Sequence, residues 1–350
     1  MAMDTPIPAD TRLKSWYERI PKVELHLHLE GAIPHDVLWE LVQKYGGDPQ
    51  VPDQAAMLRK FAYRDFLHFI ETWLWKNQYL REYEDFTFIA EAVARDLASQ
   101  NIRYVEAFFS PPDSYRFGLT TPGLAQAIRA GLARVPAVEI ALIVDVVRDW
   151  GPELAARTLA QACEARQFGV IGIGMGGSDY KFPPEPFEKV YQDARRQGFH
   201  VTAHAGESAG AESIWGAIRS LHVERIGHGV RAGEDNELLA YLAETQIPLE
   251  LCPLSNVRTG VVKSIDDHPT RKLFERGLFI TVNTDDPKMF GNSLAEEYRL
   301  LAERLGFSRP ELRALILNAV SASWLPVERK TEMAAAFCAD PAWQEDAACV

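Results

Sequence analysis

Short apolar runs alternate with longer segments of helical periodicity along most of the chain. Eight runs predict buried β-strands, at residues 23–29, 102–109, 139–147, 170–175, 199–204, 225–228, 247–251 and 278–283. Between them, apolar residues recur every three to four positions, as Val37, Leu38 and Leu41 do, which predicts amphipathic helices. Strands that alternate with helices form parallel sheets, and eight of them favour a closed (β/α)8 barrel, the TIM barrel. An open doubly wound sheet is the alternative, but no G-x-G-x-x-G motif follows the first strand.

Two regions depart from this simple alternation. Residues 46–85 are too long for a plain strand-to-helix connection and include an aromatic helical stretch, residues 61–75. An insertion after the first strand of a barrel lies over the catalytic face, so we predict a helical lid there. Beyond residue 307, helical periodicity predicts one or two extra C-terminal helices. We expect residues 1–350 to form a single barrel domain that contains the lid.

The composition argues against several classes of partner. The chain has 49 acidic and 37 basic residues, a net charge of −12, and so lacks the basic excess of nucleic-acid-binding proteins. The four cysteines form no C-x-x-C pair, which fits a reducing compartment. No apolar run of about 18 residues predicts a membrane span, and the polar N-terminus lacks a signal-peptide core. We therefore expect a cytoplasmic protein without nucleic-acid or membrane partners.

The first predicted strand carries two histidines on one face. Side chains alternate along a strand, so the imidazoles of His26 and His28 point one way and Leu27 points the other. Neutral imidazole is a preferred zinc ligand, and two of them at the end of a barrel strand suit a metal site. Two polar residues on a half-exposed strand are the alternative interpretation.

Three further polar motifs follow predicted strands: HAGE at 204–207, GHG at 227–229 and NTDDP at 283–287. A carboxylate close to a metal-binding histidine suits metal-assisted hydrolysis, in which the carboxylate moves protons. Alternatively, Glu207 lies in the first turn of a helix, and Asp285 or Asp286 caps one. Barrel enzymes carry their sites at the carboxyl ends of the strands, so the joint placement of these motifs favours a metal-dependent hydrolase.

The motifs HLHLEG, HAGE, RIGHG, LCPLSN and VNTDDP, in this order, resemble those of adenosine deaminase and its close relatives in the amidohydrolase superfamily. The resemblance covers residues 21–324 and nearly the whole chain. It implies a hydrolase that acts on a C–N bond, removes the 6-amino group of a purine, releases ammonia and leaves the 6-oxo product. The implied partner is therefore a small-molecule purine.

The resemblance also implies roles for individual residues. One zinc ion per chain would be bound by four protein ligands: His26, His28, His204 and Asp285. Glu207 resembles the family's proton shuttle, and His228 resembles the residue that orients the attacking water and stabilises the developing negative charge. Binuclear relatives usually have a bridging lysine at the end of strand 4, where this chain has Gly-Met-Gly, so a single metal ion is expected.

The substrate-binding residues follow from the same resemblance. Asp286 would bind the purine N7, the backbone of Gly177 would approach N3, and Glu30 would meet the ribose. A hydrophobic gate would be formed by Phe66, Leu67 and Ile70.

Several positions depart from the family pattern near the group on purine N9. Glu30 stands where adenosine deaminases more often carry aspartate, and Ser-Asp-Tyr at 178–180 replaces an acidic run. RIGHG also differs from the RIDHG of adenine deaminases. We predict adenosine or a related nucleoside as substrate, with adenine, aminodeoxyfutalosine and N6-substituted purines as alternatives. A non-catalytic binding protein on the same barrel is the alternative from another class, but it would be expected to have lost Glu207 or a metal ligand.

Overall fold

The computed structural model describes residues 14–345 and contains one eight-stranded sheet whose strands follow one another in sequence order. The strands are β1 Lys22–His28, β2 Ile102–Phe109, β3 Glu139–Asp145, β4 Val170–Gly174, β5 His200–Ala205, β6 Arg225–His228, β7 Leu249–Leu251 and β8 Ile280–Val282. Every neighbouring pair from β1 to β8 is parallel. The eight predicted strands and the (β/α)8 barrel are therefore confirmed.

Helices surround the sheet and connect its strands. They are α1 Trp16–Arg19, α2 His35–Lys44, α3 Gln54–Arg59, α4 Phe66–Asn77, α5 Tyr83–Ser99, α6 Pro111–Ser114, α7 Thr121–Leu132, α8 Gly151–Ala165, α9 Glu188–Arg196, α10 Ala211–Gly216, α11 Asn236–Thr245, α12 Pro253–Arg258, α13 Thr270–Glu275, α14 Pro287–Phe290, α15 Leu294–Leu305, α16 Arg309–Ala322, α17 Val327–Cys338 and α18 Pro341–Gln344. Helix α16, the stretch whose periodicity predicted a C-terminal helix, packs on β8 and β1. Helices α17 and α18 follow it, so residues 308–345 contain three helices where the sequence predicted one or two. Within residues 14–345, no helix is both long and apolar enough to cross a bilayer.

Strand β1 is buried on both faces, as expected of a strand in a parallel barrel. Leu25, Leu27 and Leu29 are fully buried in the hydrophobic core. His26 and His28 alternate with them and meet other polar side chains instead. The two-residue period therefore places both imidazoles together, and the half-exposed alternative is wrong because no residue of β1 is exposed.

The barrel closes between β1 and the residues just after β8. The backbone N–H of His28 donates to the carbonyl of Asp285 (2.9 Å), and the N–H of Asp285 donates to the carbonyl of His26 (3.0 Å). One step earlier, the N–H of Leu25 donates to the side-chain oxygen of Asn283 (2.9 Å). Closure of the sheet thus holds the Asp285 backbone directly beside the two histidines.

The insertion after β1 contains α3 and α4. Helix α4 begins where the carboxylate of Asp65 accepts a hydrogen bond from a backbone N–H (2.9 Å), later than the start of the predicted aromatic stretch 61–75. Phe69 of α4 packs on Met289 and Phe290 in a small hydrophobic cluster separate from the main core. The insertion therefore lies against the segment that follows β8, at the carboxyl end of the strands.

Helices α5 and α7 approach each other closely at Gly131, where an added Cβ would lie 2.2 Å from the carbonyl oxygen of Thr87 and 3.0 Å from the nitrogen of Glu91. Overpacking a buried contact costs about 1–3 kcal/mol, more than the ~1 kcal/mol by which alanine favours a helix over glycine. We expect Gly131→Ala to lower the free energy of unfolding, measured by urea denaturation. Gly233→Ala is the control, because nothing lies within 4 Å of a Cβ there. Equal urea midpoints for the two variants would show that α5 and α7 can accommodate the extra methyl group without loss of stability.

Candidate active site

The four predicted metal ligands meet at the carboxyl ends of β1, β5 and β8. The Nε2 atom of His204 lies 3.0 Å from Nε2 of His26 and 3.1 Å from Nε2 of His28. Oδ1 of Asp285 lies 3.4 Å and 3.3 Å from the same two nitrogens. All four side chains are buried, and their ligand atoms lie within 4.8 Å of one another. Three imidazoles and one carboxylate facing one point are a donor set that fits a zinc ion.

The protonation of His204 and Asp285 suits a metal. Burial would lower the pKa of His26 and His28, but hydrogen bonds to Asp285 outweigh burial and raise both pKa values, that of His28 to about 10, so proton release from these rings would accompany metal binding. Burial and the neighbouring rings of His26 and His28 hold the pKa of His204 well below its usual range, so its imidazole is neutral and can bind a metal. Burial alone would raise the pKa of Asp285, but hydrogen bonds to His26 and His28 outweigh burial and hold that pKa well below the usual range. Asp285 is therefore a carboxylate, and Ser255 donates a hydrogen bond to its other oxygen (2.6 Å).

A second layer of buried charge supports His26. Its Nδ1 lies 2.8 Å from Glu250 of β7, whose other oxygen accepts a hydrogen bond from Arg225 of β6 (2.5 Å). Arg225 also pairs with Glu106 of β2 (2.6 Å). Burial would raise the pKa of Glu250, but Arg225 and His26 outweigh it, so Glu250 is ionised. A carboxylate beside Nδ1 keeps the ring proton on Nδ1, which leaves the lone pair of Nε2 directed at the position where the four proposed ligand atoms meet.

Glu207 and His228 lie on the other side of this cluster. Oε2 of Glu207 is 3.6 Å from Nε2 of His228, which is 3.9 Å from Oδ2 of Asp285. Burial, with the nearby charges of Asp285 and Asp179, raises the pKa of Glu207 well above its usual range. Burial lowers the pKa of His228 to about 3. Burial therefore favours the protonated, uncharged form of Glu207 and the uncharged form of His228.

Asp179 fixes the turn that carries Glu207. Its carboxylate accepts hydrogen bonds from the backbone N–H groups of Glu207 (3.2 Å), Ser208 (3.1 Å) and Ala209 (3.1 Å). The Arg231 guanidinium donates to the carbonyl of Glu207 (2.9 Å). In the sequence, Asp179 is noticeable only as a departure from the family pattern. Its position two residues after Gly177 is the one feature of the sequence that indicates a place near the site.

A cavity of about 230 Å³ opens above the metal ligands. Its lining includes Asp286, Gly177, Phe66 and Ile70, for which the resemblance implied contact with the substrate. Further lining residues that sequence reasoning missed come from α4, from the end of β3 and from the segments that follow β2 and β3: Phe69, Trp73, Leu74, Ser110, Asp113, Asp145, Val147, Asp149 and Trp150. Their signal was weak, because their approach to the site depends on how α4 and these segments pack.

Two glycines make room for carboxylates at this cavity. A Cβ on Gly31 would lie 1.7 Å from Oδ1 of Asp286, so the HLHLEG glycine allows Asp286 to pack against the backbone. Gly177 has a φ of +96°, which favours glycine, and a Cβ there would lie 2.1 Å from Oδ2 of Asp149. Asp149 accepts hydrogen bonds from the N–H and hydroxyl of Ser178 (both 2.8 Å), which ties the loop after β3 to the loop after β4.

Two predicted substrate-binding residues do not line the cavity. Leu67 is 61% exposed, because adjacent helix positions diverge by about 100° and the neighbouring Phe66 faces inward. Glu30 is buried, and its Oε1 accepts a hydrogen bond from the N–H of Ser110 (2.9 Å), so it connects the ends of β1 and β2. Neither placement supports the direct substrate contact that the resemblance implied.

Comparison with known proteins agrees with this geometry. The family model described as adenosine deaminase matches residues 21–338. An adenine deaminase from Bordetella avium is 37% identical over 312 residues, which are 88% of this chain and 98% of that protein. An aminodeoxyfutalosine deaminase from Streptomyces avermitilis is 35% identical over 329 residues, 92% of each chain. The crystal structure of a Burkholderia ambifaria amidohydrolase with bound Zn has a TM-score of 0.88 at 30% identity and covers 99% of this chain and 97% of its own.

The geometry around His26 generates a prediction about metal binding. Glu250→Gln replaces the carboxylate with an amide that can present its NH2 to Nδ1, so the ring is no longer held with its lone pair at Nε2. Loss of such a partner typically weakens metal binding about 10–100-fold, and we expect zinc affinity to fall by this factor in competition with a chromophoric chelator. Glu139→Gln, at an exposed carboxylate paired with Arg329, is the control. Unchanged affinity in Glu250→Gln would show that Glu250 does not orient the ligand.

Proposed function

The chain belongs to the adenosine deaminase family and is a purine deaminase, and we propose that it acts on an unphosphorylated 6-aminopurine nucleoside with one zinc ion per chain. The observation that carries the substrate proposal is the charge of the cavity. Six carboxyl side chains line it: Asp113, Asp145, Asp149, Glu207, Asp285 and Asp286. Among the described residues that line it there is no lysine or arginine. Apart from the proposed zinc ion, a phosphate group would find no cation among these lining residues and would meet acidic side chains instead, which disfavours nucleotides.

The group on N9 distinguishes the remaining candidates. The Bordetella avium and Streptomyces avermitilis relatives are named adenine and aminodeoxyfutalosine deaminases, so they favour two of our alternatives over adenosine itself. The lining of the cavity also includes Leu74 and Trp150, which are 44% and 52% exposed and so lie at its solvent-facing edge. A free base would leave this apolar edge in water. We therefore favour a nucleoside with an apolar group at its 5′ end; adenine is the second candidate, supported by the 37% identity.

Zinc held by His26, His28, His204 and Asp285 would supply Lewis acidity that makes water a nucleophile near neutral pH. The protonated Glu207 is positioned to give its proton to the ring nitrogen next to the amino-bearing carbon, which makes that carbon more electrophilic. The insertion at 46–85, which we propose to be a lid, would exclude bulk water.

The role of Glu207 is tested by Glu207→Gln. The amide fills the same space but has no carboxylic acid proton to transfer, so we expect ammonia release to fall to background. Zinc content by elemental analysis should stay at one ion per chain, since Glu207 is not among the four proposed ligands. An exposed glutamate, Glu303, supplies the control Glu303→Gln. Normal turnover by Glu207→Gln would remove Glu207 from the mechanism.

The substrate proposal is tested by ammonia release from adenine, adenosine, 5′-methylthioadenosine, aminodeoxyfutalosine, AMP and N6-methyl-AMP. We expect a 5′-modified nucleoside to have the highest kcat/KM, and AMP to fall roughly 100-fold or more below adenosine because of charge repulsion. Trp150→Ala should lower kcat/KM for the 5′-modified nucleosides about tenfold and leave adenine unchanged. The control is Tyr241→Ala, at an exposed ring on α11. Adenine as the best substrate would select the second candidate, and efficient use of AMP would contradict the proposed exclusion of nucleotides by charge.

A further inference from the structure

Two buried side chains behind His228 connect it to a backbone amide. Nδ1 of His228 lies 3.2 Å from Nδ2 of Asn256, at the end of the LCPLSN motif. The other end of the same amide, Oδ1, lies 3.2 Å from Nε2 of His268. Nδ1 of His268 lies 3.4 Å from the backbone nitrogen of Thr270 and 2.6 Å from its hydroxyl. His268, Asn256 and His228 therefore form a chain of hydrogen bonds that ends in the cavity.

The backbone N–H of Thr270 determines which atom donates and which accepts in each hydrogen bond of this chain. A backbone N–H can only donate, so Nδ1 of His268 must accept. Burial lowers the pKa of His268 to about 3, so the ring is neutral and carries its single proton on Nε2. That N–H donates to Oδ1 of Asn256, which turns the amide NH2 of Asn256 toward His228.

His228 therefore accepts at Nδ1 and carries its own proton on Nε2. Nε2 points toward the carboxyl groups of Glu207 and Asp285, at 3.6 Å and 3.9 Å. In this tautomer His228 has an N–H to offer to an oxygen in the cavity but no lone pair there with which to take a proton. The backbone supports the same placement, since His228 is held at a φ of +60°, which leaves little freedom to reorient the ring by moving the chain.

We propose that Asn256 and His268 are positioning residues that fix His228 as the Nε2–H tautomer, so that it acts as a hydrogen-bond donor and not as a general base. This inference rests on the role proposed for His228 in the deamination. A donor in place before the reaction stabilises negative charge that develops on the attacking oxygen, and loss of one such donor typically costs about 10²–10³ in kcat.

The tautomer can be measured without any substrate. Zinc-loaded full-length protein labelled with 15N-histidine gives ring nitrogen shifts and two-bond couplings that distinguish Nε2–H from Nδ1–H. We expect Nε2–H at both His228 and His268. In Asn256→Asp, a carboxylate accepts from His268 and from His228 together, so we expect His228 to change to Nδ1–H. His228 is assigned by loss of its signals in His228→Gln.

Kinetics supply the second readout. Asn256→Asp should lower kcat about 10²-fold or more, with KM and zinc content nearly unchanged, whereas a variant that only disturbs folding would change all of them. His268→Phe should lose activity, and His268→Gln should recover most of it because its amide restores a donor to Asn256. The control is His200→Phe, at a half-exposed ring paired with Glu224 at the start of β5.

The outcomes separate this proposal from the proposed function. An Nδ1–H tautomer at His228 in the unaltered protein, or no change of tautomer in Asn256→Asp, would overturn the positioning role even if purines are deaminated. Equal activity of His268→Phe and His268→Gln would also overturn it. Absence of ammonia release from every purine would instead refute the proposed substrate class, and the tautomer measurement would still stand.

Discussion

A buried guanidinium organises the interior of this barrel. Arg225 is 1% exposed and lies between Glu106 and Glu250, two carboxylates that would be very costly to bury alone. The pairing satisfies one oxygen of Glu250 and leaves the other for Nδ1 of His26. These buried ion pairs therefore do more than fill the barrel, because Glu250 fixes the orientation of the His26 ring at the proposed metal site. The energetic penalty of buried charge is offset by contacts that also define the site.

Closure of the sheet acts on the same residues. The backbone hydrogen bonds that join β1 to the segment after β8 use His26, His28 and Asp285 themselves. Asp285 makes these bonds with a φ of +65°, a conformation that costs energy for a residue other than glycine. Both sets of contacts, the buried ion pairs and the backbone hydrogen bonds, hold ligand residues in place, so the four ligand atoms come together in the closed barrel. Assembly of the site is thus part of barrel formation.

The placement of the candidate metal-binding and acid–base residues could be predicted because it depends on strand period and on the convergence of strand ends. Side-chain alternation puts His26 and His28 together, and the ends of β5, β6 and β8 must converge in any barrel. Glu250 could not be identified in this way, since one acidic residue in the apolar run 247–251 gives no hint of a partner on β1. Leu67 and Phe66 are adjacent in α4, and which of them faces the cavity depends on how the helix packs against the rest of the protein. The hydrogen bond between Asn256, in α12, and His268 joins residues twelve positions apart and depends on how the segment after α12 folds back.

This difference explains why the motifs reveal the reaction better than the substrate. The groups proposed to act on the amino-bearing carbon extend from strand ends, whose relative positions are fixed by the register of a closed sheet. The lining residues that we propose to face the N9 side extend from α4 and from the segments after β2 and β3, as Trp73, Asp113 and Trp150 do. Trp73 donates from its indole to Asp113 (2.9 Å), so a change in either segment moves the other. The specificity of the site is therefore a property of packing between segments, and substitutions there can change it while the strands keep the chemistry intact.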